Sequence, residues 1–197
     1  MASTTEQIKK LREETGAGIL DAKKTLDEMG GDYDKALSIL RAKAFAKVDK
    51  KAAERTAQDG AIETYVHNGK VGVMVELNCE TDFVARTPQF KDAAHALALQ
   101  IAAMNPKYVS VQEIPADELE AQTKTFTDAT LAEGKPTNLV EKIVQGKLDK
   151  YYAEVVLLRQ PYIKDDKQTI EDVVKAASAQ TGEKIVVRRF TRYALGE

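Results

Sequence analysis

The sequence predicts an α+β protein, in which a small helical region precedes a core made of an antiparallel sheet and helices. Three features of the sequence support this prediction. Residues 8–48 repeat apolar side chains at helical spacing. Residues 61–79 alternate apolar and polar side chains around Asn68-Gly69, a dipeptide typical of β-hairpin turns. Residues 184–193 alternate again, so this final segment can join the hairpin in a three-stranded sheet.

Turn and capping residues divide the helical region into three predicted helices. Residues 16–18, with two glycines, separate the first helix from the second, and Gly30-Gly31 ends the second. Ser3 and Glu6 match a capping box for the first helix, and Asp32 is placed to cap the third. A core made by three short helices is small, so we expect its stability to be marginal.

The strands predict one buried face of the sheet. In the first strand, residues 62, 64 and 66 (Ile, Thr, Val) alternate with residues 63, 65 and 67 (Glu, Tyr, His). In the second strand, the apolar side chains are Val71, Val73, Val75, Leu77 and Cys79. In the final strand, the residues expected on one side are Ile185, Val187, Arg189, Thr191 and Tyr193. Each alternation has the period of a half-buried strand.

Four longer helices are predicted between the hairpin and the final strand. Thr87-Pro88 is typical of a helix start, and Thr169 is placed to cap another helix. The expected ranges are 88–104, 115–133, 137–152 and 170–181. We therefore divide the chain into a helical domain over 1–56 and an α+β core over 57–197.

The composition excludes several classes of protein. Hydrophobic residues make up 43% and charged residues 30%, as in ordinary globular chains. No apolar run approaches the roughly 20 residues of a membrane span, and the N-terminus lacks signal-peptide features. We expect a cytoplasmic protein that contacts no membrane. A balance of 29 Lys and Arg against 31 Asp and Glu argues against direct nucleic-acid binding.

The sequence carries no recognisable catalytic constellation. Glycine-rich phosphate loops and the nucleophile-elbow motif are absent. His67 and His95 lie in different predicted elements and lack cysteine partners at metal-ligand spacing, so we expect no metal and no cofactor. Cys79, the only cysteine, continues the buried face of its strand and is expected to be a small buried hydrophobe. We predict that the protein is not an enzyme.

One turn differs from the rest of the chain. Glu80-Thr81-Asp82-Phe83-Val84 follows a strand and places an aromatic residue among polar residues. The residues alone favour a short capped turn with Phe83 folded back into the core, because large aromatic side chains usually bury.

Two separated segments resemble the signatures of one family. Leu11–Leu26 and Glu76–Ala85 resemble the two signatures of bacterial-type translation elongation factor Ts, in the order found in that family. Residues 160–162 and 187–190 resemble the closing segment of the family, so the resemblance covers essentially the whole chain. It implies a ubiquitin-associated-like three-helix domain, followed by a core with a three-stranded antiparallel sheet covered by helices. The chain is similar to the short class of the family, which has a single core.

The resemblance also implies a function. Members of the family are guanine-nucleotide exchange factors in translation elongation: they bind the complex of elongation factor Tu with GDP, disturb its magnesium site and promote release of GDP, so that GTP can bind. The residues implied in docking on the nucleotide domain of Tu are Leu11, Ile19, Leu20 and Lys23. The residues implied in dislocating magnesium are Thr81, Asp82, Phe83 and Val84. For Leu11 and Ile19, a place in the core of the helical domain is an equally good interpretation.

The single core predicts the assembly. Longer members of the family carry two related core halves, so we expect a homodimer here, and a complex of two Ts chains with two Tu chains. A two-fold pair is also the commonest oligomer. The predicted contact surface is the final strand, with Ile185, Val187, Phe190 and Tyr193.

Two other functions stay open from the residues alone. The three-helix domain could recognise ubiquitin-like or nascent-chain partners, which leaves the turn at 81–84 unexplained. The basic stretch Arg41–Arg55 could contact nucleic acid, although such a run is more often a solvated helix face.

Overall fold

The computed structural model describes residues 4–52 and 54–197, so the predicted capping residue Ser3 lies outside the described residues. The helices are α1 (Thr4–Thr15), α2 (Ile19–Glu28), α3 (Tyr33–Ala52), α4 (Asp82–Ala85), α5 (Pro88–Met104), α6 (Ala116–Ala132), α7 (Thr137–Val155) and α8 (Ile170–Thr181). The strands are β1 (Asp59–His67), β2 (Val71–Cys79), β3 (Pro161–Tyr162), β4 (Asp165–Thr169) and β5 (Val186–Ala194). Single 3₁₀ turns cover Val111–Glu113 and Leu157–Arg159.

Helices α1–α3 pack around a small apolar cluster near the N-terminus. Its buried members are Leu11, Ala22, Leu26, Ala36 and Leu40. Gly30 and Gly31 end α2 with positive φ angles of 64° and 84°, a conformation that glycine adopts without strain. The Asp32 carboxylate accepts the backbone N–H of Lys35 at 3.1 Å, which confirms the predicted cap of α3.

The core contains the predicted three-stranded antiparallel sheet, in the order β1-β2-β5. Helix α5 packs across β1 and β2, and α8 packs beside α5. Thr87 caps α5 by accepting the N–H of Phe90, and Thr169 forms a capping box with Asp172 at the start of α8. Both predicted caps are confirmed. The short hairpin of β3 and β4 was not predicted.

Strand β1 turns its more apolar face away from the helices. Tyr65 lies opposite Val73 and Glu63 opposite Val75, so the side with Glu63 and Tyr65 faces the core. Ile62 lies on the other side and is 59% exposed. The register of the hairpin decides this face, because residues directly opposite each other share one side of a sheet.

A β-bulge in β5 overturns the predicted single side of that strand. Glu76 pairs with Arg189, whereas Leu77 pairs with Val187, so Arg188 is an extra residue on β5. Val187 therefore faces the core, whereas Arg189 lies on the outer side with residues 191 and 193. The prediction that these residues share a side was wrong, because strict alternation does not anticipate a bulge.

The bulge also corrects the predicted contact surface of a dimer. Ile185 and Val187 are buried, and Phe190 is partly buried against the same core. Only Tyr193 of the four predicted residues is largely exposed. Ile185, Val187 and Phe190 pack against the core of their own chain, so they are not available to a second chain.

Helices α6 and α7 form an antiparallel hairpin with its own apolar cluster. Val140, Val144 and Leu148 of α7 are buried in it, and residues of α6 pack against them. At one end, the Glu118 carboxylate accepts the hydroxyl groups of Tyr108 and Tyr151 at 2.7 and 2.6 Å. Among residues 4–52 and 54–197, no helix combines the length and apolar character that crossing a membrane requires.

Candidate partner-binding site

The unusual turn projects its aromatic residue into solvent. Thr81 precedes the single-turn helix α4, whose residues Val84 and Ala85 are buried in the core. Consecutive helical residues point about 100° apart, so Phe83 is directed away from the core when its two successors face it. Phe83 is 78% exposed. The expectation from the residues alone, that Phe83 folds back into the core, was wrong.

Asp82 lies beside Phe83 and has one ionic partner in the described structure. Its carboxylate is 2.7 Å from the guanidinium of Arg86, one turn further along. Both side chains are substantially exposed, so this ion pair stabilises the turn only weakly. Asp82 can exchange this partner for another without a large loss of free energy.

The backbone before α4 is held by a distant carboxylate. Glu183 accepts the N–H of Glu80 at 3.1 Å, the N–H of Thr81 at 3.0 Å and the hydroxyl of Thr81 at 2.7 Å. Thr81 and Glu183 are separated by 102 residues. No local pattern in the sequence connects them, so sequence reasoning missed Glu183.

Cys79 anchors the same turn from inside. Its thiol has no exposed surface and donates to the carbonyl oxygen of Thr81 at 3.1 Å. Burial, followed by the nearby Glu183 carboxylate, raises the pKa of the Cys79 thiol to about 11. The predicted buried role is confirmed, and a thiol with this pKa is a weak nucleophile at neutral pH.

The predicted docking residues divide between surface and core. Ile19 and Leu20, at the start of α2, are 57% and 81% exposed, and Lys23 follows one turn later on the surface. Leu11 has no exposed surface and belongs to the core cluster. The core interpretation thus holds for Leu11 and fails for Ile19. The exposed pair forms an apolar patch next to a positive charge.

The histidines take part in polar contacts at the surface. Nδ1 of His67 lies 2.9 Å from the Tyr65 hydroxyl, and Nδ1 of His95 lies 3.2 Å from the Glu63 carboxylate. In the described part of the chain, no group of three or more His, Cys, Asp and Glu side chains is placed to hold a metal ion.

Comparison with known proteins agrees with both signature segments. Residues 4–197 match the family model for elongation factor Ts. The chain belongs to the elongation factor Ts family. It is similar to elongation factor Ts of Coprothermobacter proteolyticus, with 48% identity over all of both chains. It is similar to elongation factor Ts of Herpetosiphon aurantiacus, with 51% identity over all of this chain and 99% of the relative.

A third relative is elongation factor Ts of Thermotoga petrophila, which is 52% identical over all of this chain and 98% of the relative. Membership of the Ts family makes the chain a translation elongation factor.

The two Ts signatures occupy different parts of the structure: Leu11–Leu26 spans the end of α1 and most of α2, and Glu76–Ala85 spans the end of β2 and α4. Helix α8 packs against α1 and α3, and the loop that follows it carries Glu183. The signatures are thereby connected through α8.

Proposed function

We propose that this chain is a guanine-nucleotide exchange factor for elongation factor Tu. The observation that carries the proposal is the exposure of Phe83, at 78%, on a braced turn within a chain of the Ts family. Nucleotide exchange requires no bond-making group. The factor must bind nucleotide-free Tu more tightly than the GDP complex, and the coupling is reciprocal, so GTP entering the empty site expels the factor.

The first step is docking by the three-helix domain. Ile19 and Leu20 offer apolar area to the nucleotide domain of Tu, and Lys23 adds a positive charge. Leu11 contributes indirectly: it lies in the same core cluster as Ala22 and Leu26 and thereby supports α2 from its buried side. In this division the domain over 1–56 is ubiquitin-associated-like and docks, whereas the core over 57–197 performs exchange.

The second step is insertion of the turn near the magnesium site of Tu. Burying the Phe83 side chain would contribute about 1.5–3 kcal/mol, which offsets the displacement of Tu helices. Asp82 would leave Arg86 and compete for polar groups around the metal, while Thr81 and the buried Val84 hold the turn in place. A loss of about 4 kcal/mol in nucleotide binding weakens the affinity roughly a thousandfold.

We further propose a homodimer formed through the outer face of the sheet. This face, opposite the helices, carries four exposed apolar side chains on three strands: Ile62, Val66, Met74 and Tyr193. Exposed apolar side chains grouped on one face of a sheet often mark an interface. A two-fold pair of sheets would bury the outer faces of both chains and allow a complex of two Ts chains with two Tu chains.

The proposed setting is the cytoplasm, where translation elongation takes place. The protein needs no cofactor of its own and no direct contact with nucleic acid or membrane, because all of its selectivity lies in its contacts with Tu. The magnesium ion belongs to Tu.

Release of labelled GDP from purified elongation factor Tu tests the exchange function. Adding the protein with excess unlabelled nucleotide should accelerate GDP release, and the rate should saturate with protein concentration. The protein denatured by heat is the control for non-specific effects. An unchanged release rate at micromolar concentrations of both proteins would contradict the proposal.

A further inference from the structure

The turn that carries Phe83 is braced by the loop after α8. The Glu183 carboxylate accepts hydrogen bonds from the N–H of Glu80, the N–H of Thr81 and the hydroxyl of Thr81, at 2.7–3.1 Å. Hydrogen bonds to an ionised carboxylate are stronger than those between neutral groups. Glu183 thus fixes the backbone of the two residues that lead into α4.

A second set of bonds ties the same turn to the chain that follows α3. The Glu80 carboxylate accepts the Arg55 guanidinium at 2.9 Å and the backbone N–H of Lys184 at 2.7 Å. Arg55 also donates to the Gly182 carbonyl at 3.2 Å, and the Lys184 ammonium donates to the Arg55 carbonyl at 2.8 Å. One hydrogen-bonded network therefore connects three segments: the chain after α3, the loop after α8 and the turn before α4.

Helix α8 extends this network to the three-helix domain. The Lys175 ammonium lies 3.1 Å from the Asp49 carboxylate of α3, and the Gln180 amide donates to the Glu13 carbonyl of α1 at 3.2 Å. The side of the domain that rests on α8 is therefore held close to the loop that carries Glu183. This arrangement sets the direction of Phe83 relative to the proposed docking face on α2.

We propose that Glu183 is a positioning residue for nucleotide exchange. It holds the backbone of Glu80 and Thr81, so that Phe83 meets the partner already oriented once the three-helix domain has docked. A surface that is ordered before binding avoids the entropy loss of ordering it on the partner. This inference rests on the proposed exchange function and adds a residue of the chain outside both family signatures.

The test compares the Glu183→Ala, Glu183→Gln and Glu171→Ala variants in the GDP-release assay. Glu183→Ala should lower the maximal release rate by about tenfold or more, because three hydrogen bonds at the turn are lost. The concentration for half-maximal effect should stay within about twofold, because the docking face is unchanged. Glu171→Ala is the matched control: it removes an ion-paired carboxylate at the opposite end of α8 and should exchange at the wild-type rate.

Glu183→Gln separates geometry from charge. The glutamine carbonyl oxygen can accept both backbone N–H groups, and its NH2 group can donate to the Thr81 hydroxyl oxygen. This variant should retain most of the exchange rate. A loss in Glu183→Gln as large as that in Glu183→Ala would overturn the positioning role.

A double variant distinguishes positioning from general stability. If Glu183 acts through Phe83, adding Glu183→Ala to Phe83→Ala should lower exchange no further, since the two changes are coupled. Independent, multiplying losses would overturn the inference, as would wild-type exchange by Glu183→Ala. If Glu183→Ala is unfolded by circular dichroism, Glu183→Asp replaces it, because its shorter side chain withdraws the carboxylate. The aspartate variant should show the same loss of maximal rate, and a wild-type rate would overturn the proposal.

The failures of the two proposals are distinguishable. No acceleration of GDP release by the wild-type protein contradicts the exchange function itself. If the wild-type protein accelerates GDP release and Phe83→Ala loses this effect, a wild-type release rate with Glu183→Ala contradicts only the role of Glu183.

Discussion

Gly16 packs so closely on Ala179 that a Cβ atom at Gly16 would lie 2.4 Å from the Ala179 carbonyl oxygen. Gly16 is in the turn between α1 and α2, and Ala179 is near the end of α8. The φ angle of Gly16 is 67°, which is also unfavourable for other residues. The turn within the first Ts signature is therefore a contact between the three-helix domain and the core.

Substitution of Gly16 should loosen this contact. We expect Gly16→Ala to lower the free energy of unfolding by about 2–4 kcal/mol, because backbone strain and a backbone clash add together. Urea denaturation measures the change. Gly30→Ala is the control, since Gly30 has a φ of 64° but no atom within 4 Å of an added Cβ. Equal losses in the two variants would show that the contact with Ala179 relaxes without cost.

The exposed Phe83 should matter for exchange and not for folding. We expect Phe83→Ala to change the free energy of unfolding by less than about 0.5 kcal/mol, as is usual for surface sites. Its GDP-release rate should fall by about tenfold or more, because the apolar area that enters the partner is lost. Phe90→Ala is the contrasting variant: Phe90 has no exposed surface, so its loss should destabilise the core by about 3–5 kcal/mol. Exchange by Phe83→Ala at the wild-type rate would contradict the proposed insertion of Phe83 into Tu.

The stability of the α6–α7 hairpin should depend on pH through Glu118, which lies at one end of it. Hydrogen bonds from the Tyr151 and Tyr108 hydroxyl groups hold the pKa of Glu118 below its ordinary value of 4.5. A carboxyl whose pKa is lowered on folding stabilises the protein above its unfolded pKa, and this stability is lost as pH falls through the folded pKa. The contribution should therefore be complete at neutral pH, begin to fall as the pH approaches the ordinary Glu pKa of 4.5, and disappear only below the lower pKa of folded Glu118.

Removal of the two hydroxyl groups tests this dependence. In the double variant Tyr108→Phe and Tyr151→Phe, the pKa of Glu118 measured by carboxyl NMR titration should rise toward 4.5. Tyr152→Phe is the control, because Tyr152 packs in the hairpin cluster without contacting Glu118 in the described structure. An unchanged Glu118 pKa in the double variant would assign the shift to another cause.

The outer face of the sheet should determine the oligomeric state. We expect light scattering of the wild-type protein to give twice the chain mass of 21.7 kDa, and Met74→Lys to give the single-chain mass. A charge at Met74, which is 51% exposed, is tolerated in one chain but unfavourable between two apolar faces. Ile163→Lys adds the same charge at an exposed site on the β3–β4 hairpin and should remain dimeric. A wild-type mass of one chain, with a one-to-one complex with Tu, would contradict the dimer and leave exchange untouched.

Helix ends and the hairpin were predictable because their signals are local. Asp32, Thr87 and Thr169 cap helices through groups only three residues away, so these contacts can be recognised in the sequence. Asn68 and Gly69 adopt the positive φ angles that their dipeptide favours. The α+β class and the order of the longer helices and of the three strands of the main sheet follow from signals of this range.

Tertiary contacts alone decided which faces of these elements meet the core. The bulge at Arg188 depends on the pairing of β5 with β2, and the exposure of Ile62 depends on the partners of β1 across the hairpin. Glu183 reaches Thr81 across 102 residues of sequence. The direction of Phe83 depends on the burial of Val84 and Ala85, its neighbours in α4, in the core. Propensity and periodicity act over a few neighbours, whereas burial is set by whichever distant segments pack together. The sequence therefore determined the α+β class, the longer helices, the three strands of the main sheet and the family, and packing determined that Phe83 faces the solvent.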